Sequence, residues 1–154
     1  MIQASAKTRK VRPRNAFEAP ADVCALLQSI GKRLTVAAKT ILFRKGEASK
    51  GVFLVIKGKV ALSAGDDGSG LTRIAQRRSL LGLPATVNNK RYSLTARALD
   101  NVETFVVQPQ QFRSLLQSNP VVGVAIVKIL SDEVWALRRF RSSTTSDTSQ
   151  SGES

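Results

Sequence analysis

The chain has 154 residues, of which 42% are hydrophobic, and this size and composition predict one globular domain. The absence of histidine and the presence of one cysteine, Cys24, exclude Ser-His-Asp and Cys-His catalysis, histidine-ligated haem, most zinc sites, internal disulfides and cysteine-held iron–sulfur clusters. The eleven acidic residues are scattered, so we expect a protein that is not an enzyme and holds no metal or cofactor. No apolar run approaches the ~20 residues that span a bilayer, and no signal peptide is evident, so we expect a cytoplasmic protein without membrane contact.

The net charge of +13 is partly concentrated in residues 1–19, which we interpret as a disordered, solvated arm. A charge of this size attracts nucleic acid through a field that does not depend on base sequence. Non-specific nucleic-acid contact is therefore an alternative role for the arm. Its basic residues are Lys7, Arg9, Lys10, Arg12 and Arg14.

The folded part begins with a predicted helix from Pro20 to Ile30, because its apolar residues recur at helical spacing and Gly31 follows as a stop. From Leu34 onward, short apolar stretches are separated by glycines and turn residues. Roughly eight such strands predict a mainly β fold with flanking helices, a sandwich or double-stranded β-helix (jelly roll). The last two strands, residues 93–99 and 102–107, are separated by Asp100-Asn101, which we predict to be a tight turn.

Two helices are predicted after the strands. The first runs from Pro109 to Leu116, and the second starts at Asn119-Pro120 and ends near Arg141. The second helix carries an a/d stripe, which is typical of paired helices. The stripe consists of Gly123, Val127, Leu130, Val134 and Leu137. The Ser/Thr-rich residues 142–154 are expected to be disordered, which leaves residues 20–141 as the domain.

Four segments resemble the cyclic nucleotide-binding domain, in particular the sensor half of Crp/Fnr (catabolite activator-type) regulators. They are Ile-Leu-Phe-Arg-Lys-Gly at 41–46, Gly-Val-Phe-Leu-Val-Ile-Lys-Gly-Lys-Val at 51–60, Leu-Leu-Gly at 80–82 and Tyr-Ser-Leu-Thr-Ala-Arg-Ala at 92–98. The resemblance covers residues 21–141 and implies a β-roll barrel with a long C-terminal helix. It also implies that this helix pairs with its twin in a homodimer, with Trp135 beside the seam. Packing of the stripe on its own barrel is the alternative.

The resemblance also implies a ligand pocket, but the phosphate-binding cassette departs from the family pattern. Leu83 stands where the family has the glutamate that binds the ribose hydroxyl, and Pro84 has no N–H for a phosphate oxygen. Tyr92 stands at the position of the phosphate-binding arginine, and Arg91 reaches the pocket only if the strand shifts or bulges. Leu81 and Leu83 are expected in the core, with Tyr92 packed over the pocket mouth. The candidate pocket residues are Leu81, Gly82, Leu83, Pro84, Ala85, Arg91, Tyr92 and Ser93.

These departures predict weak or absent cyclic AMP binding, and they leave open a vestigial pocket or one adapted to another small anionic ligand. We therefore expect a non-enzymatic regulatory module that signals through a protein partner or an unknown ligand. Only 13 residues follow Arg141, too few for the helix-turn-helix domain of Crp/Fnr regulators, so a truncated transcriptional regulator is an alternative. The other is a charge-driven nucleic-acid-binding protein. Its basic surface would add Lys32, Arg33, Arg44, Lys45, Arg77, Arg78, Lys90 and Arg91 to the arm.

Overall fold

Eight strands form two four-stranded antiparallel sheets in the computed structural model, which describes residues 15–65, 70 and 72–153, and their side chains except at 72 and 137–153. The strands are β1 (Lys32–Val36), β2 (Ile41–Phe43), β3 (Val52–Lys57), β4 (Val60–Ser63), β5 (Thr72–Ala75), β6 (Leu80–Leu81), β7 (Thr95–Ala98) and β8 (Val102–Val107). The first sheet has the order β1-β8-β3-β6 and the second β2-β7-β4-β5. This confirms the predicted mainly β roll.

Four helices accompany the sheets: α1 (Ala21–Ile30), α2 (Leu83–Asn88), α3 (Pro109–Ser118) and α4 (Pro120–Glu153). The last helix continues beyond Arg141, where its apolar pattern predicts an end, because each residue added to an existing helix gains a backbone hydrogen bond. Among the described residues no single helix is long and apolar enough to cross a membrane. Helix α3 and the start of α4 reach that length and apolar character only when taken together, and they are separated by a bend of 114°.

The two faces of the first sheet explain why β3 is continuously apolar. Phe53 and Val55 point into an inner cluster between the two sheets, whereas Val52 and Leu54 point into an outer cluster against the helices. Alternate residues of a strand face opposite sides, so a strand covered on both sides has no polar face. The outer cluster is completed by helix residues that include Val23, Leu27, Phe112, Val122, Ile126 and Ile129. Each such side chain contributes roughly 1.5–3 kcal/mol by its burial.

The turn predicted at Asp100-Asn101 lies between β7 and β8 but does not join paired strands, since β7 pairs with β2 and β4 while β8 pairs with β1 and β3. The chain crosses between the sheets at this point. Asp100 Oδ1 accepts the Lys59 N–H at 2.7 Å, and Asn101 Oδ1 accepts the Ala38 N–H at 3.1 Å. These two residue types are favoured here because their side chains satisfy loop backbone donors, not because they close a hairpin.

Residues 15–19, which the sequence assigned to the disordered arm, pack on the roll. Ala16 and Ala19 are buried, and Glu18 forms an isolated β-bridge with Ser79. Asn15 Oδ1 accepts the Gln76 N–H at 2.9 Å, and its Nδ2 donates to the Arg77 carbonyl at 2.9 Å. The basic residues of the arm, Lys7 to Arg14, lie outside the described residues.

Candidate functional site

The cassette residues surround the point where β6 passes into α2. Gly82 joins the two elements with φ of +78°, a left-handed conformation that side chains rarely adopt. A Cβ at this position would lie 2.6 Å from the Tyr92 ring carbon Cε1. Glycine is therefore required at position 82 for two reasons, its backbone conformation and the space that Tyr92 takes.

Tyr92 is 2% exposed and its ring lies inside the roll, not across its mouth. It stacks on Phe43 with ring centroids 3.8 Å apart and planes 16° from parallel. Phe43 in turn contacts Phe53 in a tilted arrangement at 5.6 Å. The candidate ligand-binding residue is thus part of the inner cluster.

The Tyr92 hydroxyl makes two hydrogen bonds with the loop before β3. It accepts the Lys50 N–H at 2.7 Å and donates to the Gly51 carbonyl at 3.1 Å. Burial raises the pKa of Tyr92 above its ordinary value, because the ionised ring would lose hydration. The neutral phenol therefore acts as a structural clamp on residues 50 and 51.

The space left beside Tyr92 is a cavity of about 20 Å³. A cavity of this size accommodates about one water molecule, whereas small-molecule sites usually measure ~300–1,000 Å³. It is lined by Phe17, Phe43, Leu62, Gly82, Pro84, Ala85, Tyr92, Ser93 and Leu94. Only Ser93 and Tyr92 bring polar side-chain atoms to this lining.

The other candidate pocket residues lie in two groups. Leu81 and Ala85 belong to the inner cluster, and Pro84 lines the small cavity. Leu83 is fully buried but belongs to the outer cluster, so it packs toward the helices. Arg91 is exposed, and its Nη1 donates to the Gly46 carbonyl at 2.8 Å, so its guanidinium is held at the surface.

Sequence reasoning missed several residues that shape this site. The sequence pattern places Phe43 only within the segment 41–46 and Phe17 within the arm. Thr86 Oγ1 donates to the Gly82 carbonyl at 2.8 Å and lies 2.8 Å from Ser49 Oγ, which ties α2 to the loop before β3. No local pattern marks these residues, because their partners are distant in the chain.

The a/d stripe of α4 does not form the face that covers the roll. Val122, Ile126 and Ile129 are buried in the outer cluster, whereas Val127 is 66% and Val134 50% exposed. Of the other stripe residues, Leu130 is partly buried against the outer cluster and Gly123 is half-buried. The side chain of Leu137 lies outside the described residues. Trp135 is also exposed.

The predicted basic surface is spread over several elements. Lys32 and Arg33 lie on β1, where Arg33 pairs with Glu103 of β8. Arg77 and Arg78 lie in the turn before β6, and they line an open groove of about 730 Å³ with α1 and the end of β3. This groove is far larger than the cavity beside Tyr92, but none of the cassette residues line it. In the same part, no three His, Cys, Asp or Glu side chains come together as a metal site.

A family model for the cyclic nucleotide-binding domain matches residues 33–119, more than half of the chain. The Anaerobic regulatory protein of Bacillus subtilis (strain 168) is 28% identical over 135 residues, which cover 86% of this chain and 56% of the relative. This chain therefore spans little more than half the length of that relative.

Solved structures share the fold at low sequence identity. The Thermus thermophilus catabolite activator protein matches with a TM-score of 0.70 and 17% identity, over 82% of this chain and 60% of that one. The c-di-GMP-responsive global regulator CLP of Xanthomonas campestris matches with a TM-score of 0.67 and 19% identity, over 80% and 63% of the two chains. The chain belongs to the cyclic nucleotide-binding domain family, as a regulatory domain of the Crp/Fnr type.

Proposed function

We propose that this chain is a regulatory module whose nucleotide pocket is closed by its own Tyr92, so that it does not bind cyclic AMP in the manner of the family. The observation that carries the proposal is the Tyr92–Phe43 stack, which leaves about 20 Å³ of free space. A nucleotide requires that the ring leave this position. Displacement would also break the two hydrogen bonds of the Tyr92 hydroxyl.

The polar groups that the family uses for its ligand are also absent. Leu83 has no carboxylate and packs into the outer cluster, and the Arg91 guanidinium donates a hydrogen bond to the Gly46 carbonyl. Neither residue therefore replaces the ligand-binding glutamate or arginine of the family. A hydrogen bond to a charged group contributes about 1.5–3 kcal/mol. Because about 1.4 kcal/mol is a factor of ten, losing two such bonds weakens binding by roughly two or more orders of magnitude.

We propose that the module contacts its partner through α4. Val127 and Val134 are exposed at a/d spacing on a helix whose other face already packs on the roll. A heptad stripe fits a second helix of the same kind, because its knobs fill the holes of an identical partner. We assign this face to a homodimer of the chain.

The test is calorimetric titration of the full chain with cyclic AMP, cyclic GMP and c-di-GMP. The last ligand is included because the Xanthomonas regulator is described as responsive to it. We expect no stoichiometric heat with any of the three at about 1 mM. Micromolar, one-to-one binding of a cyclic nucleotide to the wild-type chain would overturn the proposal.

A double variant provides the positive control. In this variant, Tyr92→Arg with Pro84→Ala, the first change restores the family residue type and removes the ring that fills the cavity, and the second returns a backbone N–H to the start of α2. We expect a gain of cyclic AMP affinity relative to Tyr92→Ala, which only empties the pocket. The comparison separates the effect of free space from the effect of lost polar contacts.

A further inference from the structure

Phe17 connects the closed pocket to the long helix. Its ring lines the small cavity beside Tyr92 and packs against both the inner and the outer cluster. Its backbone N–H donates to Glu133 Oε2 of α4 at 2.8 Å, and its carbonyl accepts the Leu80 N–H at 3.0 Å. One residue therefore contacts the pocket, β6 and α4.

Glu133 is the α4 side of this connection. Its side chain is only 12% exposed, and its second carboxylate oxygen, Oε1, accepts a charge-assisted hydrogen bond from Arg73 of β5. A carboxylate this far from water is stable only when its oxygens are paired. We call Phe17, Arg73 and Glu133 the Glu133 cluster; it joins the N-terminal segment, the second sheet and α4.

Phe17 is also held in a strained conformation. Its φ is +52°, in the left-handed region that bulky residues seldom occupy. Such strain persists only where the surroundings impose it. Asn15 fixes the segment from one side, since it accepts hydrogen bonds from the Gln76 N–H and from Ser79 Oγ at 2.9 and 2.8 Å. The hydrogen bond to Glu133 Oε2 fixes the segment from α4.

We infer that Phe17 and Glu133 are positioning residues that keep the pocket closed and couple it to α4. When Glu133 accepts the Phe17 N–H, Phe17 lines the small cavity and helps to hold the Tyr92 ring in place. A shift of α4 breaks this hydrogen bond and releases the ring, and displacement of Tyr92 acts on α4 through the same residue, because coupling between two sites is reciprocal. The inference rests on the proposed function for the identity of the pocket, but not for its ligand.

The test is amide hydrogen exchange measured by NMR on the full chain. The Lys50 N–H reports on the pocket because it donates to the Tyr92 hydroxyl, and the Val55 N–H, which donates to the Ser79 carbonyl at 3.0 Å, reports on opening of the sheet. In Glu133→Ala we expect Lys50 exchange to rise by roughly tenfold more than Val55 exchange. Glu103→Gln is the matched control, since it removes the Arg33 ion pair outside the cluster.

Glu133→Gln separates the two bonds of the carboxylate. It keeps an oxygen for the Phe17 N–H but loses the charge that attracts Arg73, so Lys50 exchange should stay near the wild-type value. Equal increases at Lys50 and Val55 in Glu133→Ala, or an increase no larger than in Glu103→Gln, would overturn the inference.

The reverse direction uses the single tryptophan, Trp135, which lies two residues from Glu133 on α4. Emptying the pocket with Tyr92→Ala should change the Trp135 emission, whereas Tyr92→Phe, which keeps the ring, should not. This arm remains decisive if Glu133→Ala does not fold, because identical emission in the two Tyr92 variants refutes the coupling. Stoichiometric cyclic AMP binding would instead refute the proposed function and leave the exchange result unchanged.

Discussion

Gly82 and Tyr92 depend on each other: a Cβ at position 82 would lie 2.6 Å from the Tyr92 ring. The backbone that turns from β6 into α2 thus passes against the Tyr92 ring, close to its Cε1 atom. The missing side chain at position 82 therefore leaves room for the side chain of Tyr92.

Replacement of Gly82 by alanine should therefore destabilise the domain by more than its backbone conformation alone requires. A left-handed non-glycine residue costs roughly 1–2 kcal/mol, and the contact with Tyr92 adds to this. Gly46→Ala is the matched control, because Gly46 has φ of +93° but nothing within 4 Å of its Cβ position. Chemical denaturation of both variants gives the comparison, and an equal loss of unfolding free energy would contradict the role of Tyr92.

Removal of the Tyr92 hydroxyl tests the clamp on the loop before β3. Tyr92→Phe keeps the stack on Phe43 but leaves the Lys50 N–H without its acceptor, so we expect a loss of about 1–3 kcal/mol in unfolding free energy. Thermal or urea unfolding measures this loss. A variant as stable as the wild type would mean that water replaces the hydroxyl without cost.

Truncation of the same residue should open the pocket. Tyr92→Ala removes a fully buried ring and should cost about 3–5 kcal/mol, in the range of large-to-small aromatic substitutions. The resulting cavity is lined mainly by apolar groups, so a small aromatic probe such as indole should raise the melting temperature of this variant but not of the wild type. An equal response of the two proteins would place the probe elsewhere.

Tyr92 also predicts a loss of stability at high pH. Its pKa is raised in the folded state by burial, so the unfolded chain releases the phenolic proton first. The contribution is complete below the unfolded pKa of about 10 and is lost as the pH rises through the folded pKa. Since Tyr92 is the single tyrosine, ultraviolet titration reports its pKa directly.

The control for this pH effect is Tyr92→Phe. Cys24 contributes in the same direction, because burial also raises the pKa of its thiol. The difference between wild type and Tyr92→Phe isolates the phenol. Parallel stability curves for the two proteins above pH 10 would show that Tyr92 is not the group responsible.

The exposed stripe of α4 predicts the oligomeric state. Val127→Glu places a charge at the proposed seam and should shift the chain from dimer to monomer in analytical ultracentrifugation, since each valine buried there contributes roughly 1.5–3 kcal/mol. Val121→Glu is the matched control, because Val121 is comparably exposed but off the a/d stripe. A wild-type chain that sediments as a monomer would contradict the proposed dimer.

Much of the local structure follows from the sequence by itself. Prolines at helix starts, glycines between apolar runs and the change from strand to helix periodicity determine the order of elements. The sequence also shows leucine and tyrosine where the resemblance implies the cassette glutamate and arginine. Local backbone preferences depend on neighbours in the chain, so a sequence pattern reports them directly.

Tertiary structure alone decided which groups meet. It placed Tyr92 on Phe43 and brought Phe17 to Glu133. It also turned Val122, Ile126 and Ile129 of α4 toward the roll, while Val127 and Val134 of the a/d stripe remained exposed. It also made the segment at Asp100-Asn101 a crossing between the two sheets instead of a turn between paired strands. Periodicity identifies an apolar face but not its partner, because the partner is selected by packing between residues far apart in the chain.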